Sequence, residues 1–83
     1  PERFAIHKLI VADRRRGGAD ALKSRKDRAQ AAFLIEVLHA ERPDDLAEAY
    51  ETAMERGPAW RARIAASLQQ MPETRTLLET LPS

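Results

Sequence analysis

The sequence contains no cysteine, so neither a disulfide nor a thiolate metal site supports the fold, and nothing marks its redox compartment. Glycine is equally scarce. Of the three glycines, Gly17-Gly18 follow a helical segment rather than a strand, and the spacing of a phosphate-cradling loop is missing. Serine stands only at positions 24, 67 and 83, which leaves no nucleophile–base–orienter set to assemble. No apolar run approaches the roughly 18–20 residues of a membrane span, and no signal-peptide pattern is present; the expectation is a cytoplasmic protein with no membrane partner. Aromatic residues are few. Trp60, Tyr50 and Phe33 sit at helical core spacing and read as core, because basic residues do not interleave with exposed aromatics as they do in single-strand binders. No segment alternates apolar and polar residues in the manner of a half-buried strand.

What the sequence does contain is charge and helical periodicity. Eighty-three residues make one domain with a modest core, and 43% hydrophobic with 33% charged residues suits a folded, strongly solvated protein rather than a disordered one. The net charge of +1 conceals a split: residues 1–28 carry +5 and the rest −4. A local positive field can attract phosphate although the whole chain is near neutral.

Pro1 and Glu2 suit a first helical turn, and Phe4, Ile6, Leu9, Ile10 and Val11 give a wide apolar face. Arg14-Arg15-Arg16 and Gly17-Gly18 end that helix, and Asp20 is a plausible N-cap for the next. The second helix runs from about Ala21 to about Ala40 without Gly or Pro. Its expected core stripe is Gln30, Leu34, Val37 and Leu38, widened by Phe33 and Ile35. A short connection predicts that these two helices form an antiparallel hairpin. Pro43 opens a third helix with Leu46, Ala49, Tyr50, Ala53 and Met54 inward. Gly57-Pro58 begin a fourth with Trp60, Ile64 and Leu68, and Pro72 begins a short fifth with Leu77, Leu78 and Leu81. The predicted fold is all-α, a small bundle of four to five helices led by that hairpin.

Candidate chemistry is confined to the hairpin end. Glu36 and His39 share helical spacing, but a solvated face explains them better than a metal ion does. Asp44-Asp45 complement a helix dipole. By contrast, Lys23, Lys26, Asp27 and Gln30 lie along the expected stripe of the second helix, and Asp13 and Arg14 continue that of the first, so the core face turns polar and basic towards the tip. Lys8, beside His7, falls roughly level with Lys26 across the hairpin. Buried charge is costly unless paired or solvated, which predicts a tip open to a groove or another surface. A solvated, salt-bridged end, a phosphate- or nucleic-acid-contacting tip and a domain contact remain as readings. Arg61 and Arg63 make a second, weaker basic spot.

The ordered set Pro1-Glu2-Arg3-Phe4-Ala5-Ile6-His7-Lys8-Leu9-Ile10, Arg14-Arg15-Arg16, Lys23, Lys26-Asp27, Gln30 and Arg42-Pro43-Asp44-Asp45-Leu46 resembles the C-terminal helical region of a family of bacterial proteins with a nucleotidyltransferase fold. The resemblance extends over roughly residues 1–68. In that family a mixed α/β catalytic domain, with Mg²⁺ on strand-borne carboxylates and a triphosphate-gripping turn, precedes the helices. The resemblance implies that this chain is a C-terminal fragment of a two-domain protein, an accessory module covering nucleotide or acceptor and not catalytic alone. It implies that His7, Lys8, Arg14, Lys23, Lys26 and Asp27 form the substrate- or phosphate-binding set, with Asp27 orienting a lysine. Mg²⁺ and a nucleoside triphosphate are implied for the parent protein, and no cofactor for this chain. The implied partners are the chain's own N-terminal catalytic domain and a nucleotide or polyanionic acceptor; the apolar first helix also suits a homo-oligomer. The alternative function is a stand-alone interaction module that binds nucleic acid or a protein through the basic tip.

Overall fold

The computed structural model describes residues 1–14 and 21–82. The described residues form five helices: α1 (Glu2–Arg14), α2 (Ala21–Glu41), α3 (Pro43–Glu55), α4 (Pro58–Gln69) and α5 (Pro72–Glu79). The fold is all-α, as its periodicity predicted. Arg15, Arg16, Gly17-Gly18 and the proposed cap Asp20 lie outside the described residues.

Proline sets three of the starts. Pro43, Pro58 and Pro72 each occupy the first turn of a helix, where a missing N–H costs nothing and the fixed φ is already helical. Only Arg42 separates α2 from α3, and its N–H still donates to the Leu38 carbonyl at 2.7 Å while its own carbonyl accepts from Leu46 at 3.0 Å. Gly57, between α3 and α4, has φ +129°, a conformation that side-chain-bearing residues rarely adopt.

Helix α1 lies at the centre, packed on α2, α3 and α4, while α5 closes over α2 and α4. Its inward side carries Ala5, Ile6, Leu9, Ile10 and Ala12, all buried. Ile35 and Leu38 of α2, Leu46 of α3, Ile64 and Leu68 of α4 and Leu78 of α5 complete the core. Each fully buried branched side chain stabilises the fold by roughly 1.5–3 kcal/mol. Ala5, Ala12 and Ala31 are also fully buried; their small side chains let α1 and α2 approach closely. Outside the core, the Glu2 carboxylate accepts from Arg42 at 3.3 Å and ties α1 to the start of α3. Its pKa is lowered, first by a backbone N–H and then by Arg42, against an opposing desolvation.

The expected inward stripe of α2 requires correction. The residues that face the core are Ser24, Asp27, Ala31, Ile35 and Leu38. Phe33 is 65% exposed and Val37 36%, Gln30 is exposed and Leu34 half-buried. Ile35 and Leu38 of the expected stripe do face the core, and the rest of the inward side is small or polar where α2 packs on α1. On α1, Phe4 likewise points outward, 55% exposed. Trp60 and Tyr50 are half-buried against the core.

Candidate functional site at the hairpin end

The antiparallel register of α1 and α2 is pinned by three side chains of α2. Ser24 donates from Oγ to the Ala12 carbonyl at 2.6 Å. That carbonyl lies in the last described turn of α1, and the bond ties it to α2. Arg28 donates to the Ser24 hydroxyl at 2.8 Å, so a guanidinium polarises the hydroxyl that caps the neighbouring helix. One turn below Ser24, Asp27 receives the Lys8 ammonium at 3.0 Å. Asp27 is 3% exposed, and a carboxylate this far from water is tolerated only with charge and hydrogen-bond partners. The Lys8 ammonium also stands 5.3 Å from the centroid of the Phe4 ring, within cation–π range.

A second hydroxyl fastens the other side of α1. Ser67 of α4 donates to the Leu9 carbonyl, which has a second lone pair available beyond its helical bond. Near the same end, Arg63 of α4 donates to Asp13 at 3.4 Å, so Arg63 belongs to an interhelical tie. The polar turn of the hairpin face is therefore real, but its Ser24 and Asp27 are closed within the helix packing rather than open to a groove.

The six candidate residues sort into three groups. Lys8 and Asp27 meet directly. Arg14, Lys23 and Lys26 are exposed, at the end of α1 and the beginning of α2. Arg25 is exposed beside them. His7 leaves the group: its ring faces Trp60 of α4, with centroids 6.2 Å apart and planes tilted by 49°. Consecutive residues of a helix diverge by about 100°, so His7 and Lys8 serve different sides of α1.

Among the described residues no group of His, Cys, Asp and Glu gathers as a metal site. His39 bonds through Nε2 to the Thr80 hydroxyl at 3.0 Å. Because that hydroxyl donates to the Leu77 carbonyl, the imidazole is the donor, and the pair ties α2 to the end of α5. Asp44 and Asp45 occupy the first turn of α3, where they complement its dipole.

Ser24 and Ser67 are interhelical fasteners that a reading of serine as a nucleophile does not reach. The signal was the spacing 24, 27, 31, 35, 38, a regular helical stripe once small and polar residues are admitted to it.

Opposite that stripe, Leu22, Ala29, Phe33, Val37 and Ala40 follow one another at helical spacing along the outward side of α2. Leu22 is 74% exposed, and Lys26 interrupts the row near its basic end. The outward surface is thus basic towards the hairpin end and apolar farther along.

Comparison with known proteins adds a family to this geometry. Residues 1–55 match the model of a family described as Nucleotidyltransferase. The match covers both helices of the hairpin and all of α3, ending short of the residue 68 reached by the sequence resemblance. Neither the curated proteins nor the solved structures compared with the chain gave a match.

Proposed function

The chain belongs to this nucleotidyltransferase family, and on that premise we propose that it is a helical accessory module of a nucleotidyltransferase-fold protein, whose hairpin end helps to hold a triphosphate or a polyanionic acceptor. The observation that carries the reading is the exposed group Arg14, Lys23 and Lys26 on a hairpin locked by the partly buried Lys8–Asp27 pair. The pair fixes the helix register, so binding has to order the exposed side chains but not the helices that carry them. Asp27 positions Lys8, and the three exposed cations make the phosphate contacts.

Ammonium and guanidinium groups fit the oxygens of a triphosphate. Carboxylates suited to Mg²⁺ are not gathered among the described residues, so the reading places phosphate binding on this chain and the transfer chemistry on a catalytic domain of the parent protein. The outward row Leu22, Ala29, Phe33 and Val37 supplies an apolar surface for docking on that domain, continuous with the cations that face its substrate. The resemblance to bacterial proteins and a C-terminal, cytoplasmic placement belong to the same proposal.

Titrating ATP and GTP with Mg²⁺ into the isotopically labelled chain tests it. Expected are amide shifts at Arg14, Lys23 and Lys26 that weaken as salt screens the charges and vanish in Lys23→Ala/Lys26→Ala. In the intact protein the same double variant should weaken triphosphate or acceptor binding by about tenfold, near 1.4 kcal/mol. Unchanged affinity for both in the intact protein would sink the reading. The outward apolar row gives one specific reason to keep the interaction-module reading alive, with a protein rather than nucleic acid as partner. Nucleic-acid binding with a steep logarithmic salt slope would instead favour a polyanion-binding module that needs no catalytic neighbour.

A further inference from the structure

On the side of α1 that carries Arg3 and His7, α1, α3 and α4 leave a cleft of about 300 Å³. Its floor is apolar: Ile6, Ala49 and Ala53 reach it from the core and are buried. Aromatic rings form its sides, Phe4 on α1 and Trp60 on α4, with the His7 imidazole against Trp60. The helices open here because α3 presents Ala49, Thr52 and Ala53 to α1, short side chains that leave the space between the rings unfilled.

The rim carries two guanidinium groups, Arg3 and Arg56. Among the described residues neither has a carboxylate within ion-pair distance. Arg56 instead lies 5.2 Å from the centroid of the Trp60 ring, which holds the cation over one end of the slot. Charge around the cleft is graded. Beyond Arg3 a neighbouring depression is lined by Glu2, Asp45 and Glu48, with Arg42 paired to Glu2, whereas the opposite end combines Arg56 with His7 and Trp60. An anion is therefore drawn to the Arg56 end, while the apolar floor accepts a planar body.

We propose that this cleft binds a small anion built on an aromatic ring, its ring lying between Phe4 and Trp60 and its carboxylate or phosphate against Arg56. Pockets of this kind pair an apolar lining with few polar groups that fix orientation. A guanidinium suits the task because it can contact an oxyanion with its donors while keeping its face on an indole. The volume stands at the lower end of small-molecule sites and limits the ligand to about the size of a mononucleotide. The proposal is independent of the phosphate-facing role of the hairpin end, since none of Arg14, Lys23, Lys26 or Asp27 lines this cleft.

Trp60 is the only tryptophan, so its emission reports the site directly. Two probes, phenylacetate and AMP, separate a carboxylate from a phosphate source, with phenylacetamide and adenosine as their uncharged counterparts. For at least one anion we expect a saturable change in Trp60 emission, and amide shifts at Phe4, His7, Thr52 and Trp60, at about millimolar concentration, near 4 kcal/mol of binding. The uncharged counterpart should bind about tenfold more weakly. Arg56→Gln should lose about the same factor, whereas Arg25→Gln, on α2, should change nothing. Thr52→Phe, at the exposed edge, should fill the slot and abolish binding while circular dichroism shows the helices intact; it serves as the deciding variant should Arg56→Gln disturb the fold. Equal binding of charged and uncharged probes would overturn the role of Arg56, and no saturable change with either anion would overturn the site. Shifts from AMP confined to Arg14, Lys23 and Lys26 would also overturn it while leaving the hairpin proposal standing.

Discussion

The two sides of α2 carry similar amounts of apolar material and have opposite fates. The inward side holds Ser24, Asp27, Ala31, Ile35 and Leu38, all buried, while the outward side holds Leu22, Phe33 and Val37, all exposed. Size does not decide between them. The chosen side has small residues where α1 comes closest and polar residues where α1 offers a carbonyl or an ammonium. Choosing the other side would have driven Phe33 into the α1 contact and left the last-turn carbonyl of Ala12 without the Ser24 hydroxyl. A helix can thus be apolar on two sides, and close packing with satisfied polar groups selects which one the bundle uses.

The sharpest way to break this comparison is truncation on both sides. Ile35→Ala, at a fully buried site, should destabilise the chain by about 2–4 kcal/mol in urea unfolding. A value below about 1 kcal/mol would show that the inward side had been misidentified. Asp27→Ala comes next, at about 2–3 kcal/mol. It leaves the Lys8 ammonium without its carboxylate, and the figure is reduced because Lys8 still reaches solvent. Adding Lys8→Met should recover part of that loss, and a double-mutant cycle measures the coupling; strictly additive losses would mean that the pair contributes nothing specific. Ser67→Ala removes a buried hydroxyl whose acceptor retains its helical bond, so about 1 kcal/mol is expected from the same unfolding curves. The smallest effect belongs to the outward side. Phe33→Ser should change the stability of the isolated chain by no more than about 0.5 kcal/mol, while weakening docking in the intact protein if the apolar row is a domain contact. A large loss in the isolated chain would place Phe33 in the core after all.

Much of the candidate site was legible as residues and little of it as geometry. Lys8 and Asp27 were both singled out, and the polar change along the hairpin face pointed to them, but Lys26 rather than Asp27 was placed level with Lys8. The actual partners sit 19 positions apart in the chain, and a shift of one residue around a helix changes which side chain points inward. His7 was grouped with Lys8 by adjacency, and the same 100° step carries it to Trp60 and the cleft. The cleft itself left no sequence signal, because Arg3, His7, Thr52, Arg56 and Trp60 come from three helices and the turn after α3 and form no spaced motif.

The sequence by itself determined where α3, α4 and α5 begin. Proline at the first turn, the glycine needed at φ +129° and unbroken 3.6-residue periodicity are local effects, acting within a few residues of the backbone they control. It also carried the family match over residues 1–55. The tertiary structure alone decided the rotation of each helix about its axis: which of two apolar sides of α2 turned inward, that Ser24 and Ser67 would satisfy carbonyls of α1, and that His7 and Lys8 would part. Rotation is set by the shape and unsatisfied polar groups of the neighbouring helices, which periodicity within one helix does not encode.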